Sequence, residues 1–108
     1  MTASTTTSTR RQATLYPRQQ AILEHLGENI TLAMKRRAIT QQMVAERTGL
    51  SRLTVRNIQH GSATVSIGHY LLVLAVIGLA DDLKDVASDD VFGRKLQDIA
   101  LLNKGSAQ

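Results

Sequence analysis

Apolar residues recur every three or four positions through most of this chain, and no segment alternates convincingly as a strand. The first run is Ile22, Leu26, Ile30 and Met34, with Leu23 and Ala33 beside them. That spacing predicts one long amphipathic helix ending near Arg37. Pro17, the only proline, suits its first turn, and Gly27 is expected to weaken its middle. Thr40 is placed to cap a second helix to about Thr48, with Gly49 ending it in the left-handed conformation. Ser51 caps a third to about His60, closed by Gly61, and Ser66 caps a fourth over 67–77, stopped by Gly78. A short fifth is expected over 80–87, and a last from about Val91 to Leu102 with Asp89 or Asp90 as cap. The expectation is an all-α chain of five to six helices without internal repeats. Residues 1–16, rich in Thr and Ser, read as a flexible arm with a short extended piece at 13–16. Residues 17–87 then form the domain, and 88–108 a C-terminal helix and tail.

Length and composition narrow the classes. A chain of 108 residues builds one small core. With no cysteine there is no disulfide scaffold, thiolate metal site or Cys nucleophile, which suits a reducing cytoplasm. The N-terminus has no apolar run of the secretory kind. The longest apolar run, 70–77, falls far short of the roughly 20 residues that cross a bilayer. A cytoplasmic protein with no membrane partner is expected.

The net charge of +4 hides an asymmetry. Residues 1–60 carry nine bases against three glutamates, whereas the remainder carries four bases against six aspartates. A basic half joined to a mildly acidic one suggests a polyanion at one end and another partner at the other. Most of the bases are Arg, which donates paired hydrogen bonds to a phosphate or a guanine edge. The plain alternative is a solvated charged surface.

The third helix sharpens this picture. Stepping about 100° per residue from Arg52 puts Val55 and Ile58 on one side. Arg56, His60, Leu53 and Asn57 fall near the other, with Arg52 at its edge. That face has no acid, yet it holds the side chains that read base edges: Arg for guanine, Asn for adenine, an apolar group for the thymine methyl. Ordinary solvated residues with one exposed leucine would look the same from sequence.

The pairing of the second and third helices adds a geometric signature. Two helices joined by a tight turn at a steep angle need a small residue at the crossing, and Ala45 supplies it. Gly49 permits the turn, Val55 and Ile58 seat the second helix of the pair, and Val44 and Leu50 complete the plug. Together with "TQ" at Thr40-Gln41 and "HG" at His60-Gly61, this pattern resembles the helix-turn-helix of the phage Cro and repressor family, also called the Xre family, over about residues 26–79. The resemblance implies a lambda-repressor-like DNA-binding domain. Gln41 would contact the phosphate backbone or brace the reading helix, while Ser51, Arg52, Leu53 and Asn57 would face the major groove. Thr54, Arg56 and His60 join this DNA-facing set. Arg56 departs from the Glu common in the family, and whether Arg52 meets a base or a phosphate stays open. Lys35, Arg36 and Arg37, just before the motif, are candidates for phosphate neutralisation or a solvated helix end. Arg10 and Arg11 on the arm offer a further groove contact. Proteins of this family usually bind double-stranded DNA at two-fold operators as homodimers.

The second half raises the question of partners. "IGHYLLVLAVIGLADDL" is apolar nearly all round its helix, so it reads either as a central buried helix or as a subunit interface through Tyr70, Leu74 and Ile77. The tail "FGRKLQDIAL" resembles the end of HipB-like antitoxins, partners of HipA-like kinase toxins, with Val91 in a proline position and Phe92 in a leucine position. That resemblance implies that Phe92, Leu96, Ile99 and Leu102 contact a toxin or a second subunit. The plain alternative is an amphipathic helix packed on its own domain.

Catalytic readings find little support. His25, His60 and His69 are isolated, and no zinc pairing, phosphate-cradling glycine loop or nucleophile elbow occurs. Asp81-Asp82 and Asp89-Asp90 read as capping or surface acids. A non-enzymatic protein without metal or cofactor is expected.

Overall fold

Hydroxyl side chains set three of the six helix starts in the computed structural model, which describes residues 13–107. Thr40 Oγ1 accepts the Met43 amide at 3.1 Å, Ser51 Oγ the Thr54 amide at 3.0 Å and Ser66 Oγ the His69 amide at 3.2 Å. Each satisfies one of the amides that the first helical turn leaves open. The elements are α1 (Pro17–Arg36), α2 (Gln41–Thr48), α3 (Arg52–Gln59), α4 (Ile67–Val76), a 3-10 helix (Ala80–Asp85) and α5 (Val91–Ala107). Among the described residues there are six helices and no strand, an all-α fold. Pro17 opens α1, where its missing N–H goes unneeded. Gly49, Gly61 and Gly78 hold φ values of 79°, 72° and 79° at the ends of α2, α3 and α4.

The core gathers Ile30, Ala33 and Met34 of α1, Val44 of α2, Val55 and Ile58 of α3, and Tyr70, Val73, Leu74 and Ile77 in and after α4. Leu26, Ala45, Leu50 and Leu79 pack half-buried around it. Of the two readings of this helix, the core takes Tyr70, Leu74 and Ile77, while α4 leaves Leu71 and Leu72 exposed.

Three expectations are corrected. Ile22 is 63% exposed rather than part of the buried stripe. The segment after Gly78 is a 3-10 helix over six residues, shorter than the helix expected over 80–87. The last helix runs on to Ala107, and Asp90 rather than Asp89 caps it, its Oδ1 accepting the Gly93 amide at 2.9 Å. Residues 13–16 are irregular. The rest of the expected arm, with Arg10 and Arg11, lies outside the described residues.

α5 does not pack on its own domain. From Val91 to Lys104 every residue except Gly93 is exposed. The radius of gyration, 19.1 Å, well exceeds the about 13 Å of a compact chain of this length. No helix among the described residues is long and apolar enough to cross a membrane.

Candidate nucleic-acid interface

Helix α3 is too short to be stable alone, so its position depends on what holds it. Val55 and Ile58, fully buried, fasten its inner side to the core. Its C-terminal end is held differently, by backbone against backbone. A Cβ on Gly27 of α1 would strike the Gln59 carbonyl oxygen and stand 2.8 Å from the Gly61 nitrogen, and one on Gly61 would strike the Leu23 backbone. Only two glycines allow α1 and the end of α3 to approach so closely. Gln20 Nε2 adds a hydrogen bond to the Gly61 carbonyl at 2.9 Å. The loop beyond is tied by the Tyr70 hydroxyl, which donates to the Ser62 carbonyl at 2.7 Å. Burial raises the Tyr70 pKa above its ordinary value.

Mounted this way, α3 turns a polar face outward. Arg52, Leu53 and Arg56 are exposed, Leu53 at 64%, while Thr54 and Asn57 are half-buried. Ser51 Oγ lies 3.0 Å from Thr54 Oγ1, so both hydroxyls are engaged at the helix start. Gln41 Nε2 donates to Gln59 Oε1 at 2.7 Å, bridging the start of α2 to the end of α3. Gln41 thus acts as a brace within the pair. Gln59, its partner, was not singled out by sequence, because only the folded arrangement brings positions 41 and 59 together.

An open trough of about 460 Å³ runs between α1 and the helix pair, lined by Glu28, Thr31, Leu32, Gln41, Arg56, Gln59 and His60. It places His60 and Arg56 with Gln41 along one edge of the polar face of α3. Glu28 is the one acid of its lining. Lys35, Arg36 and Arg37 are exposed at the C-terminal end of α1, where cations complement the helix dipole. Arg37 also donates to the Ala33 carbonyl at 3.1 Å, which ties its head to its own helix.

Among the described residues the single ion pair joins Arg94 to Asp89. Among the described residues no carboxylate forms an ion pair with Arg52, Arg56, Lys35 or Arg36. Among the same residues no three His, Asp or Glu side chains gather in a way that could hold a metal ion. Neither a protein-family model nor a curated protein sequence matches this chain.

Proposed function

We propose that this protein is a sequence-specific DNA-binding repressor that inserts α3 into the major groove. The observation that carries the reading is the outer face of α3. It is acid-free and cationic, has an exposed leucine at its start, and is held rigidly by the Gly27–Gly61 crossing at its end. A helix that reads base edges needs both parts, the donors and the fixed mount. Two-fold pairing of two such domains would supply the second half-site.

The experiment is fluorescence anisotropy on duplex DNA from upstream of the protein's own gene, beside a scrambled duplex, at two salt concentrations. Native DNA is expected to bind tightly at the higher salt, and scrambled DNA weakly and with steep salt dependence. Asn57→Ala is expected to cost about 1–3 kcal/mol on the specific site and little on the scrambled one. Equal losses on both would remove direct readout from the proposal. Arg52→Ala separates base from phosphate contact: a phosphate contact lowers the salt slope by about 1 on both duplexes, whereas a base contact relaxes preference at one position.

A second reading is favoured by the exposed α5: an antitoxin that restrains a HipA-like kinase toxin through its tail and represses its own operon. A complex with the product of a neighbouring gene, lost on deleting residues 88–108, is its expected signature. An unchanged complex would exclude the tail.

A further inference from the structure

Two adjoining hollows of about 210 Å³ each lie on the domain surface, and no residue of α3 lines either. Leu26, Leu74 and Leu83 line both, so together they form one apolar furrow between α1, α4 and the 3-10 helix, with Ile67 in one hollow and Val86 in the other. Val86 and Ile67 are 69% and 72% exposed. The rim is acidic: Asp82 lines the furrow, and its 3-10 helix carries Asp81 and Asp85 against Lys84. The exposed stripe of α5 has the opposite character. Val91, Phe92, Leu96 and Ile99 share one side at helical spacing, and Lys95 stands among them.

We infer that the apolar stripe of α5 seats in the furrow of a second copy of this chain, the two copies exchanging helices about a two-fold axis. Charge complementarity favours this occupant, since Lys95 then meets the Asp82 rim. The linker holds α5 clear of the domain. Ser88 donates to the Asp85 carbonyl at 3.1 Å, Ala87 holds a φ of 65°, and Asp89 and Asp90 bind the first turn of α5. The inference concerns the tail and the furrow alone and is measured without DNA, so it stands or falls separately from base reading.

Because the chain has no cysteine, engineered ones report pairing directly. Chains carrying Leu83→Cys are mixed with chains carrying Phe92→Cys, oxidised and weighed by mass spectrometry. A disulfide joining one chain of each kind is expected, together with a dimeric mass for the unmodified protein by sedimentation. Phe92→Asp with Leu96→Asp, both at exposed positions, is expected to weaken the dimer at least ~100-fold while leaving helix content unchanged. Lys95→Glu weakens it about threefold, and Asp82→Lys on that background restores it. Three results would overturn the inference. One is a disulfide that forms only within a single chain bearing both cysteines, which places α5 on its own domain. Another is a monomer with no mixed disulfide, which leaves the stripe to a different protein. The last is a dimer unaffected by the paired aspartates.

Discussion

Gly27→Ala sets two known effects against each other in the middle of α1. Alanine is the better helix former by about 0.8–1.0 kcal/mol, so at an open helical site the change stabilises. At Gly27 the new Cβ would strike the Gln59 carbonyl oxygen and lie 2.8 Å from both the Gln59 carbonyl carbon and the Gly61 nitrogen. All three are backbone atoms, so no side-chain rotation relieves the contact, and α1 must move away from the end of α3. Overpacking of this kind costs about 1–3 kcal/mol, and a clash with rigid backbone belongs at the upper end. The net expectation is a loss of about 2 kcal/mol, which lowers Tm by roughly 10 °C in a domain of this size. Gly68→Ala is the matched control. There the added Cβ meets only Ser66 Oγ, at 3.8 Å, and stability is expected to rise by a few tenths of a kcal/mol. Urea and thermal unfolding followed by circular dichroism measure both variants. Gly27→Ala as stable as the parent would refute the backbone-to-backbone crossing and, with it, the proposed rigid mount of the reading helix.

Two further predictions probe other points of the fold. Ala38 follows α1 with a φ of 54°, a conformation that disfavours a Cβ, and it is exposed. Ala38→Gly is therefore expected to stabilise by about 0.5–1 kcal/mol in urea unfolding, and a loss would show that the side chain matters there. The Tyr70 hydroxyl titrates above its unfolded value of 10.0 because burial penalises the phenolate. Its contribution is full below that value and is lost as pH rises through the folded one. Tyr70→Phe should lower stability by about 1 kcal/mol at neutral pH, through the lost bond to Ser62, and should flatten the fall on the alkaline side. An alkaline fall of undiminished steepness in the variant would assign that transition to other groups.

What the sequence could reveal divides along the range of the interactions. The caps at Thr40, Ser51 and Ser66 and the left-handed glycines at 49, 61 and 78 were legible because each acts within four residues of itself. Val55 and Ile58 were legible because α3 is short, and two apolar residues three apart leave one choice of inner side. Ile22 was misassigned for a geometric reason. Residues four apart drift about 40° per step around a helix, so by Met34 the row has turned by about 120°. One end of the row had to leave the core. Gly27 showed in the sequence only its cost to α1, because its close approach to Gln59 and Gly61 spans more than thirty residues. The Gln41–Gln59 bridge was hidden for the same reason. Tyr70, Leu74 and Ile77 stayed open between core and interface because their helix is apolar nearly all round; only the placement of α1, α2 and α3 shows which side the core takes.

α1 also bears on how the proposed DNA face and the proposed dimer contact relate to each other. Gly27 presses on the end of α3, while Leu26 and Ile30, its near neighbours, wall the furrow. No flexible side chain separates α1 from the Gln59–Gly61 backbone, so a shift of α1 moves the end of α3 with it rather than being absorbed. A helix seated in the furrow bears on that same α1. Under the two proposals, occupancy of the furrow and the angle of the reading helix are coupled through one rigid element, and by linkage each biases the other equally. The coupling has a physical limit, because a furrow that is already shaped for its occupant moves α1 little on filling. The main effect of dimerisation on DNA binding is then the gain from tethering two reading helices, an effective-concentration term that vanishes when the α5 stripe is broken and leaves single-domain binding intact.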